Sequence, residues 1–353
     1  MPCSHHLIRT ALLLLLMMSS AGHAAKTDVV VLINGNAVTG EIKRLEFGSL
    51  RYSTDSMGTV SIDWEDIVSV TSNQDLQIEL TDGTRYFGKL LAPDDRFVVA
   101  IRTASQDLVL PADQIVRITP IDTAEHIWER FDGSFSFGVK AEKASDIVTS
   151  DLNADISYRT RKYLLGLKVS SSVTDQPEQV QPDGTVKGGT TARQNTELNY
   201  QRFRANRWFT DWFTRWERND ELGISSRIAL GGALGRYLVQ TNKNQFSITA
   251  GIQGAQTSYT GEDVGTTEGE GRIEFRYLRR NLVPETAITL TSTIYPLLED
   301  PSTYRAETDI ALRREFYKDL FWELNLGSSY ISDPPTGAAS SDYTITTSIG
   351  YSF

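Results

Sequence analysis

From residue 131 onward, apolar and polar residues take turns along the chain with a period of two, in one stretch after another. That period puts alternate side chains on opposite faces of a β-strand. Twelve such stretches are predicted, near 131–142, 151–159, 163–173, 194–203, 208–218, 223–236, 245–257, 269–279, 285–296, 304–314, 321–331 and 343–353. Their apolar faces include Phe131, Phe135, Phe137 and Val139; Leu152, Ile156 and Tyr158; and Ile224, Ile228, Leu230 and Leu234. Ile273, Phe275 and Tyr277 follow, then Trp322, Leu324, Leu326 and Tyr330. The last stretch is the most regular, with Tyr343, Ile345, Thr347, Ile349, Tyr351 and Phe353 on one side. One-sided stretches of about 9–11 residues suit tilted transmembrane strands, and bacterial single-chain barrels use an even number.

The connections carry independent information. Every second gap is tight and basic: Arg159 to Lys162, Arg204 to Arg207, Thr241 to Asn244, Arg280 to Leu282, and Tyr317 to Asp319. The alternate gaps include long ones at 174–193, 258–268, 296–303 and 332–342. The last three hold Glu262, Asp263, Glu268, Glu299, Asp300, Asp333 and Asp342 without a Lys or Arg. Short periplasmic turns alternating with longer outer loops are the asymmetry of an outer-membrane barrel. Trp208, Trp212 and Trp216 share one face of the fifth stretch, which suits an interfacial aromatic belt, while Phe209 and Phe213 lie opposite.

The face opposite the lipid stripe gives the candidate lumen. It carries Glu197; Asp211, Arg215 and Glu217; Arg272, Glu274 and Arg276; Arg305, Glu307, Asp309 and Arg313; and Glu323. Mixed charges in register admit two readings. They pair across strands and fill the interior, or they form a constriction that selects a small ion or solute.

A different texture precedes the barrel. A shift of 48 residues aligns Leu32-Ile33-Asn34-Gly35 with Leu80-Thr81-Asp82-Gly83. It also pairs Gly40 with Gly88, Ile42 with Leu90, Leu50 with Val98, Ile67 with Ile115 and Val70 with Ile118. Each copy opens with a strand, an Asn-Gly or Asp-Gly turn and a second strand, a strong hairpin signal. The expectation is a duplicated SH3-like or Sm-like β-domain over 27–121, joined by a polar linker at 122–130 to a barrel at 131–353. Trp64 aligns with Ala112, so any role of that indole belongs to one copy.

Ahead of the repeat, Arg9, an apolar run from Ala11 to Met18 and a small-residue site ending at Ala24 read as a signal peptide over 1–24. Losing Arg9 takes the formal charge from −10 to −11. The sole cysteine, Cys3, and three of the four histidines leave with that segment, so only His126 remains. Histidine-dependent barrel hydrolases and acyltransferases are thereby set aside. No zinc cluster, phosphate loop or calcium loop is present, and neither catalytic residues nor cofactors are expected. An acidic, exported chain also speaks against nucleic acid.

The ending Tyr351-Ser352-Phe353 resembles the C-terminal assembly signal of outer-membrane barrels, which implies the barrel-assembly machinery as a partner. The whole arrangement, with duplicated β-units, Asn-Gly and Asp-Gly turns and this ending, resembles the salt-induced outer-membrane protein family. That resemblance implies an outer-membrane location and a link to osmotic or envelope stress, and it carries no site residues over. Two functions stand: a small channel or solute port, or a non-conducting anchor whose periplasmic module binds peptidoglycan or a protein. Either would sit among outer-membrane lipid and lipopolysaccharide.

Overall fold

The computed structural model describes residues 27–121, 131–142, 147–180, 186–261, 265–280, 285–317, 319–334 and 339–352. The expected signal peptide, the linker with His126, the loop acids Glu262 and Asp263, and Phe353 lie outside them.

Alternation and turn chemistry build the first sheet. Its first unit has β1 (Asp28–Leu32), β2 (Ala37–Glu46), β3 (Ser49–Thr54), β4 (Gly58–Asp63) and the front of β5 (Ile67–Leu80). The second takes the rest of β5 with β6 (Arg85–Leu91), β7 (Val98–Thr103), β8 (Asp107–Pro111) and β9 (Ile115–Pro120). The path runs β4-β3-β2-β1-β5-β6-β7-β8, and β9 closes it by pairing with both β2 and β5.

The duplication extends to single hydrogen bonds. Gly35 N donates to Leu32 O and Gly83 N to Leu80 O, each at 2.9 Å. Both glycines have φ of 85°, the left-handed turn position that glycine takes without steric cost. Trp64 N donates to Gly48 O at 2.8 Å, and its counterpart Ala112 N to Phe97 O at 3.0 Å. The Trp64 indole N–H donates to Ala112 O at 2.7 Å, so it ties the two copies together at equivalent positions. Ile42, Leu50, Ile67, Leu90, Ile115 and Ile118 are buried in one shared core.

Twelve antiparallel strands then close into a barrel. They begin with β10 (Phe131–Glu142), β11 (Ile147–Arg159), β12 (Tyr163–Val180) and β13 (Val186–Phe203). Next come β14 (Trp208–Asn219), β15 (Ile224–Gln240), β16 (Asn244–Tyr259) and β17 (Thr266–Arg280). The circuit ends with β18 (Thr286–Pro296), β19 (Tyr304–Tyr317), β20 (Leu320–Ile331) and β21 (Ser341–Ser352). The fold is all-β: a twelve-stranded antiparallel barrel preceded by a small duplicated β-domain. No helix among the described residues is long and apolar enough to cross a membrane, which says nothing of strands.

Three expectations change. The stretch 174–193 is not a long loop, because β12 and β13 pair on through Gln176↔Gly189 to Val180↔Val186. The register slips between Gln176 and Gln179, at Pro177, which has no N–H to give the ladder. The apolar pattern fades there while backbone pairing continues. Ile224 does not face outward: a register shift between Ile224 and Ser226 turns it inward against Leu222 and Ile331. Asp342 belongs to β21 and pairs with Arg193 at 3.3 Å, so it is not a free loop acid.

The barrel closes through its shortest described ladder. The β10–β21 seam pairs Ser134 through Phe137 with Ser352 through Ile349, whereas β20–β21 pairs from Leu320↔Tyr351 to Tyr330↔Ser341. Fewer ladder bonds give a lower local opening energy. Amides of this seam should exchange with deuterium before those of β14–β15 in the micelle-held protein. Uniform protection around the ring would refute that.

Candidate functional site

Strand parity decides what enters the lumen. On β14, Trp208 and Trp212 are exposed outward, while Phe209 and Phe213 are 3% and 2% exposed inside. Room for those rings comes from the next strand. A Cβ at Gly231 would meet Phe213 at 2.5 Å, and one at Gly235 would meet Phe209 at 2.2 Å. Phe321 uses Gly350 in the same way, at 2.3 Å. At these three positions the inner wall is formed by packed rings.

Charged side chains bridge what remains. Arg215 on β14 donates to Glu307 on β19 at 2.7 and 3.1 Å. Arg305 on β19 returns a bond to Glu217 on β14 at 2.6 Å. These strands lie on opposing walls of the ring, so the two ion pairs span the lumen. Tyr295 O–H also donates to Glu307 at 3.3 Å.

A second layer joins Arg272 to Glu274 at 2.7 Å and to Glu197 at 3.8 Å, with the guanidinium 4.0 Å from the Phe213 ring centre. Arg313 stacks over Phe321 at 3.4 Å. Asp211 sits half-buried in the same lumen, whereas Asp309 and Arg276 have their side chains in the open. The structure thus joins Arg215, Glu217, Arg305 and Glu307 into one cluster and Arg272 with Glu274 into another. Asp211, Arg276, Asp309 and Arg313 flank them without closing a described ion pair.

Sequence reading missed four members. Arg227 pairs with Glu270, which also accepts from Gln253 at 2.6 Å. Arg193 reaches Thr344 at 2.7 Å and Ser329 at 3.0 Å. Tyr295 is 2% exposed at the centre of the main cluster. Strand parity alone marks Arg227 and Glu270 as inward. Arg193 was hidden by the misread loop. Among the described residues, no group of His, Cys, Asp and Glu could hold a metal ion.

The tight-turn mouth is occupied by the module. Arg44 grips Asp132 of β10 with both terminal nitrogens, and Arg51 joins at 2.8 Å. Glu46, at the tip of β2, accepts from Arg159 of β11 at 2.9 Å and from Arg117 at 3.0 Å. Beside it the Arg280 guanidinium lies 4.6 Å from the Phe47 ring centre. Burial alone would push the Glu46 carboxyl up, but Arg159, Arg117, Arg44 and Arg280 together hold it well below the usual carboxylate range. Glu79 is likewise lowered against its burial, by Arg117 and Arg85. At the edge of the joint, Lys243 meets Glu65 at 2.7 Å. Clefts of about 640 and 460 Å³ flank the contact, the larger lined by Trp64, Phe97 and Asn242. The module is docked through ion pairs and not merged into a continuous apolar core.

Residues 135–353, the barrel, match the family model described as "Protein of unknown function, DUF481". The chain belongs to the DUF481 family. No curated protein matches it in sequence. Among solved structures, the NanC porin is 12% identical, covering 63% of this DUF481 chain and 98% of its own, with a TM-score of 0.37. The β-domain of the Bordetella autotransporter BrkA is 13% identical over 63% of this chain and 97% of its own, with a TM-score of 0.32. The CymD monoaromatic hydrocarbon channel is 8% identical over 80% and 88%, with a TM-score of 0.27. These are distant likenesses, and the architecture of this DUF481 member rests on its own strand register.

Proposed function

We propose that the protein is a non-enzymatic outer-membrane β-barrel of a Gram-negative bacterium. In this reading it is closed in the conformation described, with its duplicated module held over the periplasmic mouth. The observation that carries closure is the pair of ion bridges across the lumen, Arg215–Glu307 and Arg305–Glu217, at 2.7 and 2.6 Å. Each carboxylate of that cluster is held by arginine, which leaves no free acid–base couple there.

Membrane insertion is supported by the outer surface. Leu230, Ile345, Ile252 and Trp212 are 69%, 64%, 63% and 62% exposed, a belt that a water-soluble protein would have to cover. Trp322 and Tyr330 bracket Leu324 and Leu326 on β20. They lie roughly 27 Å apart along the strand, which a tilt of about 40° projects to roughly 21 Å, within the apolar band of about 25 Å of such barrels. Resemblance to the salt-induced outer-membrane proteins favours a role in the envelope response to osmotic stress.

The reading is tested by planar-bilayer recording of the refolded full-length protein. A folded barrel that carries no steady current is expected. Discrete, long-lived openings of the wild type would overturn closure and restore the solute-port reading, with Arg272, Arg276 and Arg305 as its selectivity residues.

A further inference from the structure

The outward face near the tight turns carries a row of arginines. Arg202 on β13 pairs in register with Tyr163 and Thr210. Arg236 on β15 lies opposite Trp208 and Ile248. Arg279 on β17 lies opposite Asn244 and Ile288, and Arg314 on β19 opposite Thr286 and Trp322. Directly paired residues share a face, and the faces of Trp208 and Trp322 are outward, at 38% and 37% exposure. All four arginines therefore project from the barrel wall, not into the lumen. They come from alternate strands, so they recur about every 10 Å around half the rim.

Two further observations fix their environment. An aromatic girdle runs at the same level, with Phe131–Tyr158 at 4.9 Å, Tyr158–Tyr163 at 6.3 Å and Tyr163–Tyr200 at 5.6 Å between ring centres. Arg236 itself stacks 5.4 Å over Trp208. Such rings mark the boundary between acyl chains and headgroups. Moreover, none of the four has a carboxylate within 4.0 Å among the described residues. At the opposite, loop end, the outward Arg218 is neutralised by Asp220 at 2.8 Å. Cations left unpaired at one interface only, and at headgroup depth, require anions from the membrane.

We propose that this half-rim binds the phosphate headgroups of anionic phospholipids in the leaflet that faces the tight turns. The Arg202, Arg236, Arg279 and Arg314 guanidiniums would be the donors, since a planar guanidinium matches two phosphate oxygens at once. The inference rests on membrane insertion as proposed above.

The test is native mass spectrometry of the full-length protein, extracted from vesicles of phosphatidylcholine with and without phosphatidylglycerol. Wild type should retain phosphatidylglycerol in preference to phosphatidylcholine. Each Arg→Gln change among the four should weaken that preference by about fivefold, while Arg218→Gln leaves it unchanged. Equal retention of both lipids, or a quadruple variant that still selects phosphatidylglycerol, would overturn the headgroup site alone. Failure of the wild type to enter even pure phosphatidylcholine vesicles would instead overturn the membrane reading beneath it.

Discussion

Glu307→Ala is expected to lower the unfolding free energy of the barrel by about 3–5 kcal/mol, the cost of removing one partner from a buried ion pair. Glu307 accepts from Arg215 at 2.7 Å, lies 3.4 Å from Arg305, and takes the Tyr295 hydroxyl proton bond at 3.3 Å. Without it, two buried guanidiniums share the single carboxylate of Glu217, and a buried phenol loses its acceptor. Urea titration of the lipid-embedded protein, followed by tryptophan emission, measures the loss. The diagnostic companion is Arg215→Met on top of Glu307→Ala. Removing the stranded cation should recover much of the loss, because an apolar replacement of a buried pair is often close to neutral. A Glu307→Ala variant as stable as the wild type would mean that water reaches the cluster, and closure by ion pairs would fall with it.

The period of two made much of this site legible. Arg215, Glu217, Arg305 and Glu307 all sit on the inward parity and were named from it. What parity lacks is depth across the lumen. Nothing in local sequence says that β14 and β19 face each other, since residues 92 positions apart meet there. Parity also fails where the ladder slips: one register shift at Ile224 turned a lipid-facing assignment into a lumen contact. The duplicated module was readable because its turns need glycine at fixed spacing, at Gly35 and Gly83. Its docking was not, because Glu46 on a hairpin tip has the sequence context of any solvated acid. Only the complement hints at it, with basic turns on the barrel and acids on the module, such as Lys243 beside Glu65.

In the proposed closed state, the lumen and the tight-turn mouth are blocked by different means. In the lumen cluster Glu217, Arg305 and Glu307 are buried, so each ion needs its partner. The module contact is a joint between separately formed units, with clefts on either side. Interfaces of that kind separate more readily than cores do.

Glu46→Gln should release the module from the mouth. The change leaves Arg159 and Arg117 facing each other with Glu46's charge gone, and of these two only Arg117 pairs with Glu79, at 2.9 Å. Loss of a buried partner on the scale of about 3–5 kcal/mol shifts the docking equilibrium by more than about a hundredfold. Spin labels at Glu65→Cys and Lys243→Cys report it, because Cys3 is the sole native cysteine. The Lys243–Glu65 pair given up for the labels is half-exposed at 49% and 59%, and such pairs contribute little.

The same labels read the pH dependence. Glu46 has its carboxyl held below the ordinary range in the docked state, against its burial, first by Arg159 of the barrel, whereas Glu79 is lowered mainly by Arg117 and Arg85 of its own module. The contribution of Glu46 to docking is then complete above the free-carboxylate value of about 4.3 and is lost as the pH falls through its lowered docked value. Docking should stay constant from neutral pH to about pH 5 and loosen only below the ordinary carboxylate range. In Glu46→Gln the labels should stand apart already at neutral pH. A short label distance in that variant would show that Asp132, gripped by Arg44 and Arg51, holds the module without Glu46.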